Sequence, residues 1–151
     1  LRAEPDVLLQ AFHRWESPAK ALLKSVESWR CWSLFRLKPL PRWANGRMAL
    51  LGDAAHPVLP YLAQGAALAI EDAVALAASL KVCGGDPRFA FPHYESLRMR
   101  RATRVQAQAV RFGRIYHLRG PAALARNFML RRRRADTLLR GFDWLYGETS
   151  R

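Results

Sequence analysis

Cysteine, acidic side chains and long apolar runs are all scarce in this chain, and each shortage excludes a class of protein. Cys31 and Cys83 are the only cysteines in 151 residues. They can form neither a disulfide framework nor a Cys-x-x-Cys metal knuckle, so a reducing, cytoplasmic setting is expected. No apolar stretch approaches the roughly 18 residues a membrane-spanning helix needs, and no span is expected. His13, His93 and His117 are scattered without a carboxylate pattern, so no metal site is expected. No basic-then-apolar leader stands at Leu1, and the expectation is a start inside a longer sequence, a fragment. There is also no internal repeat and no Gly-x-Gly-x-x-Gly.

The acid shortage leaves 25 Lys and Arg against 12 Asp and Glu, a net charge of +13. Residues 1–75 carry +2 and residues 76–151 carry +11. Such asymmetry points to an anionic partner, whether nucleic acid, a membrane surface or an acidic polypeptide. The run Arg131 to Arg134 cannot share one helix face, because successive residues turn by ~100°. It also lacks interleaved aromatics for stacking on bases, so a solvated surface, or contact with acidic parts of a missing domain, is expected there rather than nucleic-acid contact. Apolar residues at 50% and charged residues at 25% are ordinary globular values.

Periodicity supplies the elements. Leu8, Leu9, Phe12, Trp15, Leu22 and Leu23 predict two short helices broken at Pro18. Trp29 to Leu37 alternates like a strand. Met48 to Leu51, after Pro39, Pro41 and Asn45-Gly46, reads as a parallel strand buried on both faces. Ala66, Ile70, Ala73, Ala77 and Leu80 define a helix seam that ends before Gly84-Gly85. A longer helix is predicted from about Phe91 to about Leu118, with Ala102, Val105, Ala109, Phe112 and Tyr116 as its seam. Gly120-Pro121 ends it, and a last helix runs to about Tyr146. The expected fold class is an α/β fragment, mostly helical, with two strands and three C-terminal helices; its missing strands must come from elsewhere.

The stretch from Gly46 to Ala73 carries the chemistry. A strand ends at Gly52, where a ligand or backbone can approach closely, and Asp53 emerges at its carboxyl end, the edge at which open α/β sheets bind ligands. Its carboxylate can accept hydrogen bonds from sugar hydroxyls, or it serves only as a turn or cap residue. Eleven residues separate Asp53 from the helix, more than the usual two to six, and Pro57 and Pro60 stiffen that loop. Gly65, Ala66 and Ala67 open the helix with almost no side chain and leave its N–H groups accessible to an anionic or carbonyl-rich group. His56 is expected to fix loop geometry rather than act as a base, and Glu71 and Asp72 to complement the helix dipole.

Gly52-Asp53-Ala54-Ala55-His56-Pro57, continued by Leu59-Pro60-Tyr61-Leu62-Ala63-Gln64-Gly65-Ala66 and Ile70-Glu71-Asp72-Ala73, resembles the second FAD-binding motif of the single-component flavin-dependent aromatic monooxygenases, in their salicylate hydroxylase-like and 3-hydroxybenzoate hydroxylase-like branch. Pro39-Leu40-Pro41-Arg42-Trp43, Tyr94-Glu95 with Arg98 and Arg101, Arg104-Val105-Gln106, Tyr116-His117 with Gly120-Pro121, and Asp143-Trp144-Leu145-Tyr146-Gly147 extend the likeness.

The resemblance implies that residues 1–43 end a substrate-binding domain, 44–85 form the C-terminal part of an FAD-binding domain, and 86–151 form a helical region. One strand would belong to a dinucleotide-binding sheet and one to a substrate-domain sheet. It further implies Asp53 on the ribityl chain of FAD with Gly52 giving close approach, the Pro60 carbonyl orienting substrate, and Gly65, Ala66 and Ala67 facing the flavin pyrimidine, with Gln64 beside them. The implied reaction hydroxylates a phenol or hydroxybenzoate-like ring with FAD, NAD(P)H and dioxygen. A missing N-terminal dinucleotide-binding portion is the implied partner; Arg36-Leu37-Lys38 departs from the family's Asp-Arg. The alternative is a basic helical nucleic-acid or polyanion binding module with a relic flavin-binding segment.

Overall fold

The computed structural model describes residues 2–3, 5–15 and 17–147. Leu1 and the last four residues of the expected 86–151 helical region lie outside them. The chain divides into two units, 1–35 and 36–151. In the first, β1 (Arg2–Ala3) pairs antiparallel with β2 (Trp29–Arg30), and between them lie α1 (Pro5–Ala11) and α2 (Ser17–Lys24). The two helices are as expected, but the break falls before Pro18, which takes a first-turn position where its missing N–H costs nothing.

The strand expected over Trp29 to Leu37 stops at Arg30. Among the described residues β1 pairs with it through Arg2 and Ala3, and Trp32 and Phe35 stand 74% and 83% exposed.

The second unit opens with β3 (Ala44–Asn45) and β4 (Met48–Ala49). Here the expectation of a doubly buried parallel strand fails: β4 runs antiparallel to β3, and Met48 is 71% exposed. The cause is local. Gly46 at φ +60 starts a two-residue Gly46-Arg47 loop of the II′ pattern, which folds the apolar run back on its own predecessor.

Helix α3 (Gly65–Val82) ends on Gly84 and Gly85, both at positive φ, with the Gly85 N–H closing on the Leu80 carbonyl. Helix α4 (Pro87–Tyr116) starts four residues before the expected point, because the Asp86 carboxylate caps it by accepting the Arg88 N–H at 2.9 Å. Together they form a helical hairpin that carries the core. One cluster joins Leu62, Leu68, Val105, Ala109 and Leu145; another joins Trp43, Ala55, Tyr94 and Ala102.

The predicted α4 seam is buried at Ala102, Val105 and Ala109, with Phe112 only half-buried and Tyr116 exposed. The predicted α3 seam is not: Ala66, Ile70, Ala73 and Ala77 are exposed, while Leu68, Asp72 and Ser79 face α4. Both faces of α3 are rich in small apolar residues, so ion pairing with α4 chooses the buried one.

The last expected helix is three: α5 (Gly120–Arg132), α6 (Ala135–Arg140) and α7 (Asp143–Tyr146). The break at Arg133, extended at φ −84 and ψ 136, falls inside the arginine run, where adjacent like charges repel. All four of these arginines are exposed. Among the described residues no helix is long and apolar enough to cross a membrane.

Candidate functional site

Gly52 begins a 3-10 turn, Gly52–Ala54, at φ +59. A Cβ there would meet the Ala69 Cβ at 3.3 Å, so glycine serves both the left-handed backbone and a close approach to α3. This approach brings the exposed Asp53 carboxylate to the start of that helix, its Oδ1 lying 3.9 Å from where a Gly65 Cβ would stand.

Helix α3 has no side-chain cap, and the Gln64 carbonyl accepts the Leu68 N–H. The N–H groups of Gly65, Ala66 and Ala67 precede the first intrahelical donor, as in any helix start. Ala66 is exposed and its two neighbours are half-buried. An acceptor carboxylate thus faces a row of backbone donors at a positive helix end. Gln64 is buried at this corner, 6% exposed.

Pro60 opens a second 3-10 turn, Pro60–Leu62, and its carbonyl accepts the Ala63 N–H at 3.1 Å. One lone-pair direction of the carbonyl expected to orient a ligand is therefore used within the turn. The Pro57 carbonyl is also engaged, accepting from Gln106 Nε2 at 3.1 Å.

Tyr61 seats the turn on α4. A Cβ on Gly113 would come within 2.5 Å of its ring, and Tyr116 and His117 flank that ring edge-on. Gly52, Asp53 and Gly65 are thus brought together on α3, whereas the Pro60 turn packs on α4. An open groove of about 360 Å³ along the β3–β4 turn, between Arg42 and Leu50, is lined by none of these residues.

Sequence reasoning missed the support beneath them. Asp72 is fully buried. Its Oδ2 accepts from His56 Nε2 at 2.5 Å and from the Gly52 N–H at 3.1 Å, and its Oδ1 from Arg98 Nε at 2.8 Å. Arg98 Nη2 also stands 2.6 Å from Glu71, which Arg101 grips with two nitrogens at 2.7 and 2.8 Å. Arg101 donates onward to the Trp144 and Leu145 carbonyls. Glu71 and Asp72 therefore answer side chains of α4 rather than the helix dipole. The signal was present: Arg98 and Arg101 are three apart, on one helix face, as an adjacent acid pair requires. Glu95 is used similarly, its Oε2 accepting the Trp43 and Ala44 N–H groups.

Burial pulls the Asp72 carboxyl upward, but the bonds from His56, Arg98 and the Gly52 amide outweigh it and hold the group below its ordinary value. For Glu71, burial is likewise outweighed by Arg101 and Arg98. The Tyr94 phenol is pushed up by burial and by the nearby Asp72 charge.

The unfolded chain takes up protons near the ordinary values, 4.5 for Glu71 and 3.8 for Asp72, before the folded chain does. Stability from these groups is complete above about pH 5 and is lost as pH falls toward the lower folded values. Thermal melts between pH 6 and pH 3 should show a steep acid loss that Glu71→Gln makes shallower; an unchanged slope would remove Glu71 from the account.

A protein family described as "FAD binding domain" matches residues 9–109, about two thirds of the chain. The chain belongs to this family. FAD is accordingly its cofactor. The FAD-binding chain is 42% identical over 128 residues to 3-hydroxybenzoate 6-hydroxylase of Klebsiella oxytoca, covering 85% of itself and 32% of that protein. It is 40% identical over 147 residues to 3-amino-4-hydroxybenzoate 2-monooxygenase of Streptomyces cremeus, covering 97% of itself and 36% of that protein. A solved salicylate hydroxylase substrate complex superposes with a TM-score of 0.77 at 29% identity, across 99% of the FAD-binding chain and 36% of that structure. The chain thus spans about a third of the length of the curated relatives it matches. Among the described residues no cluster of His, Cys, Asp or Glu could hold a metal ion.

Proposed function

We propose that this chain is the C-terminal part of a flavoprotein monooxygenase that hydroxylates an aromatic ring of the phenol or hydroxybenzoate class, using FAD, NAD(P)H and dioxygen, in the cytoplasm. Residues 1–43 end its substrate-binding domain, 44–85 complete its FAD-binding domain, and 86–151 form its helical region.

The observation that carries this reading is the approach of the Asp53 carboxylate to the uncapped start of α3, 3.9 Å from a Gly65 Cβ position. A bare glycine and two alanines there leave room for a flat, carbonyl-rich group. The relatives' names, a 6-hydroxylase of 3-hydroxybenzoate and a 2-monooxygenase of an aminohydroxybenzoate, supply the substrate class.

FAD, when bound, supplies the redox chemistry, taking electrons from NAD(P)H and passing them to dioxygen. Asp53 accepts hydrogen bonds from the ribityl hydroxyls. The N–H groups of Gly65, Ala66 and Ala67 face the pyrimidine edge, where a helix N-terminus stabilises negative charge by about 0.3 to 1 kcal/mol when exposed and up to ~2 when partly buried. Gln64 offers its amide at the same corner. The Pro60 turn, fixed on α4 through Tyr61, presents its remaining carbonyl lone pair toward the substrate.

The test uses the protein expressed from its complete gene. The expected results are a bound flavin spectrum and NAD(P)H oxidation that speeds up when hydroxybenzoates are added. Asp53→Ala should weaken FAD binding by about 1.5 to 3 kcal/mol, the worth of hydrogen bonds to a charged group. Wild-type FAD affinity in that variant, or oxidation indifferent to every aromatic acid, would overturn the reading.

A further inference from the structure

We propose that Asp72 is a positioning residue for the flavin: buried on α3, it orients Asp53 by holding Gly52 and His56 on either side of it. This rests on the FAD reading above and adds a residue that does not itself touch the cofactor.

Gly52 and His56 bracket Asp53, and both bond the same oxygen, Asp72 Oδ2. An ionised carboxylate only accepts, so His56 Nε2 carries the hydrogen that it donates. The other oxygen takes Arg98 Nε from α4, which fixes the rotation of the carboxylate. Side chains of two helices therefore bear on the orientation of the turn, through the Gly52 N–H and the His56 ring. The exposed side chains of Asp53 and Ala54 add no anchor of their own, so the turn is held by these ties, by the approach of Gly52 to Ala69 and by the buried Ala55 that follows it. His56 is anchored a second way, its ring lying 5.0 Å from that of the buried Trp43.

Asp72→Asn changes one oxygen for an NH2 group. The amide cannot accept on both sides, so either Arg98 or the pair Gly52 and His56 meets a donor instead of an acceptor. FAD should bind about 10- to 100-fold more weakly, since hydrogen bonds to a charged group carry that much.

The decisive measurement is a double-mutant cycle on FAD dissociation constants, read from the quenching of flavin fluorescence as apoprotein from the complete gene is added. If Asp72 acts through Asp53, Asp72→Asn placed on Asp53→Ala changes the affinity by less than about threefold. If Asp72 only stabilises the fold, the two losses multiply, and the proposal falls. Melting curves of the apoproteins separate lost stability from lost affinity. Where Asp72→Asn does not fold, His56→Phe keeps a ring beside Trp43, deletes one tie, and carries the same cycle with the same two outcomes. Wild-type protein that binds no FAD overturns the underlying reading together with the proposal; multiplied losses overturn the proposal alone.

Discussion

Replacing Arg98 with Met lowers stability by about 3 to 5 kcal/mol and the melting temperature by on the order of 10 °C. The guanidinium, with only 10% of its side chain exposed, lies between the fully buried Asp72 and the 22%-exposed Glu71. Its removal leaves two acids inside the α3–α4 interface with one compensating cation fewer. Met fills the volume, so the loss reports charge rather than a cavity. Arg101 still holds Glu71 and His56 still holds Asp72, which places the expected value below that of a wholly unpaired buried pair. Urea unfolding of Arg98→Met and Arg98→Lys, compared with wild type, measures it. A loss under about 1 kcal/mol would mean that water reaches these acids and that the interface is held by its apolar contacts.

Leu145→Ala should cost about 2 to 5 kcal/mol, the range for truncating a buried leucine. Helix α7 has only four residues and cannot stand alone. What holds it is Leu145 in the cluster with Leu62, Leu68, Val105 and Ala109, the Arg101 bonds to two of its carbonyls, and Arg104 stacked 3.9 Å above the Trp144 ring. Since Leu62 belongs to the Pro60 turn, the same truncation loosens that turn from below. Trp144 fluorescence should shift toward the solvated value in the variant. Leu139→Ala, at a position 68% exposed, is the control and should change stability by less than about 0.5 kcal/mol. Equal effects at the two positions would show that the C-terminal turn is not part of the core.

How much of this was legible in the sequence depends on what each signal reports. The C-terminal ends of α3 and α4 were readable because Gly84-Gly85 and Gly120-Pro121 act locally, through backbone conformation; the start of α4 was not, because the Asp86 capping bond that sets it carries no apolar period. The Gly-Asp corner was readable because Gly52 acts through backbone conformation, and because an eleven-residue loop between Asp53 and the Gly65–Ala67 stretch is long for its kind. The buried face of α3 was not. Periodicity counts apolar residues, and α3 offers Ala66, Ile70, Ala73 and Ala77 on one side against Leu68, Ala75 and Leu76 on the other; burial followed Asp72 and Glu71 to their arginines instead. The strand at Met48 failed because its Asn45-Gly46 turn, read as punctuation, closes a hairpin.

The network also has an order in chain distance. Glu71 and Arg101 are 30 residues apart, Arg101 and Leu145 are 44, Pro57 and Gln106 are 49, and Ala44 and Glu95 are 51. The four-residue connector Cys83–Asp86 lets α3 and α4 meet with the smallest loop to close, and each doubling of a loop adds only about 0.6 kcal/mol to that closure. The helix pair is then the template on which the rest of the 36–151 unit docks. As the chain leaves the ribosome, the segment from Trp43 to Leu62 emerges well before Glu95 and Gln106 exist to receive it. The Gly52–Asp53 corner, tied to Asp72 across only 16 and 20 residues, is thus made before the α4 residues that close over its loop.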